Sequence, residues 1–191
     1  MPESALSDQL LLFVCEGNLA RSPAAELISR HRVDSDSAWS FASCGVRAVR
    51  SDRVLTAVGT ELDALGVPHD SFTSRQATIP MLGEATLILT ASAPQNAWIV
   101  DEAPGVFRRT YLMKQAARLL ADLPSGEDPL VFMDKTRDRP LSEDQIEDPF
   151  RKSHDAAQAA VEQIDAALRV ILPALGAVSS QVRQPDADRT S

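Results

Sequence analysis

The chain has 191 residues, 44% of them hydrophobic and 24% charged, with a formal net charge of −8. That length suits one domain with a core large enough to fold without staples, and the acidic balance argues against general nucleic-acid binding. Two cysteines, no signal-peptide pattern and no apolar run near ~18 residues predict a cytoplasmic protein with no membrane insertion.

Residues 1–9 are polar and are expected to form a loose arm. Residues 10–14, Leu-Leu-Leu-Phe-Val, are apolar without alternation, as in a parallel strand covered on both faces. Five loop residues follow Cys15. A helix then opens at Arg21-Ser22-Pro23, where the missing N–H of Pro23 is not needed, and Ala24, Ala25 and Leu27 continue as helix formers. Residues 39–42 read as a short second strand. Val54, Leu55, Val58, Leu62 and Leu65 repeat at helical spacing before the stop signal Gly66. A third strand is predicted over 86–90, and Ser92 then caps a helix carrying Pro94 near its start. Pro104-Gly105 marks a turn before a fourth strand around 109–112, followed by a helix over 113–123.

Residues 124–147 are polar, contain prolines and mix charges. They are either a mobile arm that delivers a group to the cleft or a plain surface loop. Residues 153–175 predict a long helix with Ala157, Val161, Ile164, Leu168 and Ile171 on one face. Residues 179–191 have the composition of a disordered tail. Alternation of strands and helices predicts an α/β fold with a doubly wound parallel sheet and right-handed crossovers. Ligands bind such sheets beyond the carboxyl ends of the strands, where Cys15 falls.

The loop after Cys15 combines a nucleophile, an anion cradle and a cation. Free N–H groups and the positive end of the helix dipole attract an anion there. Gly17 is free to take φ > 0, and Asn18 tolerates it. Cys15 is expected to be a thiolate, because the dipole and Arg21 both favour the charged form. Arg21 offers a planar fork for two phosphate oxygens, and Ser22 a hydrogen bond to sulfur. These parts suit phosphoryl transfer to the thiol followed by hydrolysis. Cys-x5-Arg alone is a weak signal, and its bland reading is a structural cysteine beside a surface arginine. Placement between strand and helix makes it specific. Asp148 in Asp148-Pro149-Phe150 is the candidate general acid, held on a loop because proline disfavours helix before it. Asp128 in Asp128-Pro129-Leu130 is a rival for that role, and an Asp-Pro pair by itself is usually a turn; Asp148 is preferred because an aromatic follows it and a long helix begins soon after.

With these residues in view the chain resembles the low-molecular-weight protein tyrosine phosphatases. Their signature is similar to Val14-Cys15-Glu16-Gly17-Asn18-Leu19-Ala20-Arg21-Ser22-Pro23, and their acid loop to Asp148-Pro149-Phe150. Similarity continues through Ser43-Cys44-Gly45, Ser74-Arg75-Gln76, residues 109–120 and the final helix. The resemblance implies a phosphatase domain over residues 10–175 with a four-stranded parallel sheet in the order 2-1-3-4 and helices on both faces. It implies Cys15, Arg21 and Asp148 as catalytic residues, with Glu16, Gly17, Asn18, Leu19, Ala20, Arg21 and Ser22 around the phosphate. Phe150 would wall the substrate ring, and the implied partner is a phosphotyrosine-bearing protein. No metal or cofactor is expected.

Departures from the family pattern set further expectations. Ala20 stands where most members have a second cysteine that protects the nucleophile by a disulfide. Phe72 or Thr73 stands where a histidine often bonds the loop asparagine, and Arg151 replaces a second aromatic. Leu19 favours the tyrosine type over the arginine-phosphatase branch, which tends to have threonine there. Cys44 is either a substitute resolving thiol or a small buried residue. Arg47, Arg50 and Arg53 either attract acidic phosphopeptides or form a solvated face. His31, His69 and His154 lack metal-ligand spacing, Trp39 and Trp98 read as packing residues, and Glu16 points outward. Two rival readings remain. One is a thiol-dependent arsenate reductase of the same fold, and the other is a non-catalytic phosphate-binding module.

Overall fold

A four-stranded parallel sheet in the order 2-1-3-4 forms the centre of the molecule in a computed structural model that describes residues 9–178. The elements run β1 (Gln9–Cys15), α1 (Arg21–Arg32), β2 (Trp39–Gly45), α2 (Thr56–Ala64), α3 (Ile79–Glu84) and β3 (Leu87–Thr90). They continue with α4 (Ala93–Glu102), a 3-10 segment (Pro104–Arg109), β4 (Thr110–Leu112), α5 (Met113–Leu120), α6 (Pro129–Thr136) and α7 (His154–Ala174). β1 is central and pairs with β2 from Gln9↔Trp39 through Cys15↔Gly45, and with β3 up to Val14↔Thr90. Cys15 therefore ends one of the two strands that have neighbours on both sides.

Strand periodicity divides the core. Leu11 and Phe13 face a layer with Phe41, Leu87, Leu89 and Tyr111 beneath helices α1, α5 and α7. Leu12 and Val14 face the other way, with Cys44, Ile88, Leu82 of α3 and Ile99 of α4. Cover on both faces explains the unbroken apolar run of β1. The stripe on α7 is buried as the spacing predicts, through Ala157, Val161, Ile164, Leu168 and Ile171. Each large aliphatic side chain so placed contributes roughly 1.5–3 kcal/mol by burial. Trp39 packs in the larger layer and donates its indole N–H to the Leu175 carbonyl at 2.9 Å. Trp98 packs against the smaller one. Gly66 follows α2 with φ of 69°, a left-handed stop.

The structure corrects several boundaries. Gln9 belongs to β1 rather than to an arm, since its N–H already bonds the Ala38 carbonyl at 3.2 Å. β2 continues past residue 42 to Gly45 because the pairing with β1 runs that far. Val54 and Leu55 precede α2, and the helix of α5 ends at Leu120. Helix α3 carries no periodicity to reveal it. It is short, begins with Ile79-Pro80, and is capped by the Thr78 side chain, which accepts from the Met81 N–H.

The largest correction concerns residues 124–147. They are no plain loop, for they hold α6 and a 3-10 turn over Ser142–Asp144. Asp128 caps α6, its carboxylate accepting from the N–H groups of Leu130 and Val131 at 2.9 Å each. The Asp-Pro pair at 128–129 is thus an N-cap followed by an N1 proline, which disposes of Asp128 as a rival acid. Arg118 on α5 binds both Asp138 and Asp144, tying this segment down. The expected tails lie outside the described residues for 1–8 and 179–191. Among the described residues no helix is long and apolar enough to cross a membrane.

Candidate active site

The loop 16–20 is held from behind. The carbonyls of Cys15, Glu16, Gly17 and Leu19 accept from the N–H groups of Val46, Arg47, Val49 and Leu55 at 3.0, 2.9, 2.9 and 2.7 Å. In a trans peptide the carbonyl and the following N–H point opposite ways. Pinning these carbonyls outward therefore turns the N–H groups of Glu16, Gly17, Asn18 and Ala20 inward, toward the Cys15 side. The left-handed turn falls on Asn18, with φ of 52°, and not on Gly17. Gly45 is the glycine that the loop requires. A Cβ there would lie 2.6 Å from the Glu16 carbonyl oxygen and 2.8 Å from the Asn18 nitrogen.

Helix α1 starts at Arg21 directly after the loop. Arg21 and Ser22 are both buried. The Ser22 hydroxyl donates to Cys15 Sγ at 3.0 Å, the contact expected from the sequence. One Arg21 nitrogen donates to the Ile146 carbonyl at 3.1 Å, and another pairs with Asp148 Oδ2. Its Nε is buried with no partner among the described residues. A buried guanidinium N–H left over in this way is costly unless an anion takes it. Asp148 stands half exposed at the loop, and its second oxygen accepts from the Phe150 N–H at 3.1 Å.

Asn18 turns its side chain away from the cleft, into the protein. Its amide donates to Ser22 Oγ at 3.0 Å and Ser43 Oγ at 2.8 Å, and its carbonyl accepts from the Arg75 N–H at 2.7 Å. The asparagine is thus satisfied without a histidine. Phe72, in the neighbourhood where the family often has one, is buried in the apolar core.

The cleft in front of the loop is lined by Cys15, Glu16, Gly17, Leu19, Ala20, Arg47, Val49, Asp148 and Phe150. Phe150 is 43% and Val49 49% exposed, which leaves apolar surface at the mouth unburied and open to a ring. The Arg151 guanidinium lies 5.2 Å from the Phe150 ring centroid. Sequence reasoning missed Val49, the Ile146 carbonyl and Gly45. Only Gly45 left a signal, a glycine directly at the end of a strand.

The remaining candidates separate. Of the three arginines at 47, 50 and 53, only Arg47 lines the cleft, and it pairs with the outward Glu16 at 3.3 Å. Arg53 pairs with Asp52. Cys44 sits in the smaller apolar layer, and burial pushes its thiol up to about 12. That layer lies on the Val14 face of the sheet, since Cys44 pairs with Val14. His69 and His154 meet Asp63 and Glu61. Among the described residues no cluster of His, Cys, Asp or Glu is arranged to hold a metal.

The family model described as low molecular weight phosphotyrosine protein phosphatase matches residues 10–183. No curated protein matches the sequence. Among solved structures, the chain is similar to the YwlE arginine phosphatase from Geobacillus stearothermophilus, at 22% identity and a TM-score of 0.69, covering 88% of this chain and 93% of that one. The Erwinia amylovora tyrosine phosphatase amsI matches at 22% identity and a TM-score of 0.68, covering 87% and 93%. Vibrio vulnificus Wzb, solved with benzylphosphonate, matches at 21% identity and a TM-score of 0.65, covering 84% and 94%. At these identities the likeness concerns the fold.

Proposed function

The chain belongs to the low molecular weight phosphotyrosine protein phosphatase family, and we propose that it hydrolyses phosphotyrosine in proteins through a phosphocysteine intermediate. The observation that carries this reading is the Arg21–Asp148 pair, which sets a carboxyl group beside the loop that holds Cys15. An acid at that place serves a leaving group, whereas mere phosphate binding has no use for it.

Cys15 Sγ attacks phosphorus in line with the aryl oxygen. The S–P bond forms as the P–O bond breaks, and Asp148 gives its proton to the departing phenolate. The inward N–H groups of Glu16, Gly17, Asn18 and Ala20, with Arg21, hold the equatorial oxygens. Water then attacks phosphorus and yields its proton to Asp148, and the thiolate leaves with the Ser22 hydroxyl donating to it. Leu19, Val49 and Phe150 receive the ring. No step calls for a metal or cofactor. The proposed setting is the cytoplasm, where Cys15 and Cys44 stay free thiols as in the structure.

A second reading is phosphoarginine hydrolysis, favoured by the structural likeness to an arginine phosphatase. Leu19 and the apolar mouth support the aryl substrate instead. Purified protein should be assayed with para-nitrophenyl phosphate, a phosphotyrosine peptide and a phosphoarginine peptide, alongside Cys15→Ser. The expected result is turnover of the first two, none in Cys15→Ser, and little release from phosphoarginine. Preference for phosphoarginine would replace the tyrosine reading, and no turnover at all would return the weight to arsenate reduction or plain phosphate binding.

A further inference from the structure

A second cavity, of about 280 Å3, lies between α1 and the segment that joins α2 to α3. It is more than twice the size of the cleft before Cys15, about 130 Å3, and shares no lining residue with it. Arg30 lines it from α1, and Ser71, Thr73 and Arg75 from the other side. Leu27 and Phe72 supply the apolar part of the wall. We propose that this cavity is a second anion site, which takes the phosphate group of a small molecule. Neither Cys15 nor Arg21 takes part, so the site stands whether or not the cleft is that of a phosphatase.

Charge favours an anion there. Glu26, buried at 2% exposure, also reaches the cavity, but its carboxylate is fully engaged. The Ser43 hydroxyl donates to Oε2, and the guanidiniums of Arg30 and Arg75 meet Oε1 at 2.8 and 3.0 Å. One guanidinium balances one carboxylate, so the second leaves a positive charge uncompensated within the group. Both arginines also have donors left over. Arg30 gives Nε and Nη2 to the Phe41 carbonyl, and Arg75 gives Nη2 to both Glu26 oxygens. Nη1 of each has no partner among the described residues, and neither has the hydroxyl of Ser71 or Thr73. The engaged nitrogens fix the guanidinium planes, so a ligand meets donors already in place.

Four donor groups from two sides suit a tetrahedral oxyanion, whose oxygens point several ways, better than a carboxylate with two oxygens in one plane. Arginine N–H groups give phosphate oxygens charge-assisted hydrogen bonds, and the hydroxyls can rotate toward the oxygens that remain. A cavity of this size holds more than a bare ion, and Leu27 and Phe72 offer contact to an organic part.

The test is nuclear magnetic resonance of the nitrogen-labelled full chain, titrated with inorganic phosphate against sodium chloride at equal ionic strength. Cys15 is first alkylated with iodoacetamide, which blocks the cleft. The amide signals of residues 71–75 and the Arg30 Nε–H should still move and saturate, with a Kd of millimolar order. Arg30→Met leaves Arg75 on Glu26 and should weaken binding about tenfold, the scale of a hydrogen bond to a charged group. Ser71→Ala combined with Thr73→Ala should weaken it severalfold, and carries the test if Arg30→Met does not fold. No movement beyond that caused by chloride, or wild-type affinity in either folded variant, would overturn the proposal. Adenosine monophosphate in place of phosphate separates the two sources of the group. Binding about tenfold tighter assigns an organic phosphate, and equal or weaker binding assigns the free ion.

Discussion

Asp148 and Arg21, 127 positions apart in the chain, are joined in an ion pair in which the arginine is buried and the carboxylate half exposed. The arginine side is fixed by the Ile146 carbonyl, while the Asp148 carboxylate is held by Arg21 through one oxygen and by the Phe150 N–H through the other. In the proposed reaction a phosphate taking Arg21 would release the carboxylate for the leaving-group oxygen. Asp148→Asn should therefore lower kcat about 100-fold or more on a phosphotyrosine peptide. The loss should be smaller on para-nitrophenyl phosphate, whose leaving group needs less help. Equal losses on both substrates would remove Asp148 from the role of acid.

The segment leading to Asp148 is tied down by Arg118, which meets Asp138 at 2.7 Å and Asp144 at 3.0 Å. The hydrogen bond from Arg118 holds the Asp138 carboxyl below the usual carboxylate range. A lowered folded-state value means the contribution is present above the unfolded value, about 3.9, and is lost as pH falls through the folded one. Asp138 is 43% exposed, so the pair itself adds less than about 1 kcal/mol. Acid unfolding followed by circular dichroism should begin at higher pH in Arg118→Met than in wild type. An unchanged acid limb would show that the tie carries no linkage.

Gly45 faces the loop backbone closely enough that a methyl group has no room. Gly45→Ala should displace the loop, destabilise by about 1–3 kcal/mol and reduce kcat by up to about 100-fold. Wild-type kinetics together with a wild-type Tm would contradict the close approach.

Cys44 lies on the Val14 face of the sheet with its thiol held protonated, a poor nucleophile toward oxidised Cys15. After peroxide, peptide mapping should find Cys15 oxidised and no Cys15–Cys44 disulfide. Cys44→Ala should inactivate and recover at the wild-type rate. A mapped disulfide would restore Cys44 as a resolving thiol.

Arg47 lines the cleft and Arg151 stacks over Phe150, putting two cations at a mouth that carries exposed apolar surface. A phosphotyrosine peptide with acidic neighbours should be preferred over a neutral one severalfold at low salt. The preference should shrink as salt rises and fall in Arg47→Ala and Arg151→Ala. If both variants keep the wild-type ratio of kcat/KM values, the arginines are a solvated face.

The central strand, the anion loop, Ser22 against sulfur and the buried stripe of α7 were legible in the amino-acid order, because each depends on neighbours within a few positions. Residues 14–23 state a strand end, a loop and a helix start in one run, and the spacing 157, 161, 164, 168, 171 states a buried face. The sequence by itself determined what the loop is made of. Tertiary structure decided which Asp-Pro pair stands at the cleft and which caps a helix, since the two motifs are locally alike and differ in whether Arg21 or an α6 amide receives the carboxylate. It also decided that Asn18 takes the left-handed turn in place of Gly17, and that Gly45, Ser43, Glu26 and Arg75 brace the loop from behind. Those relations join residues from β2, α1 and the segment after α2. They arise only when parallel pairing brings the end of β2 beside the end of β1, because hydrogen-bond direction and close contact are properties of neighbours in space.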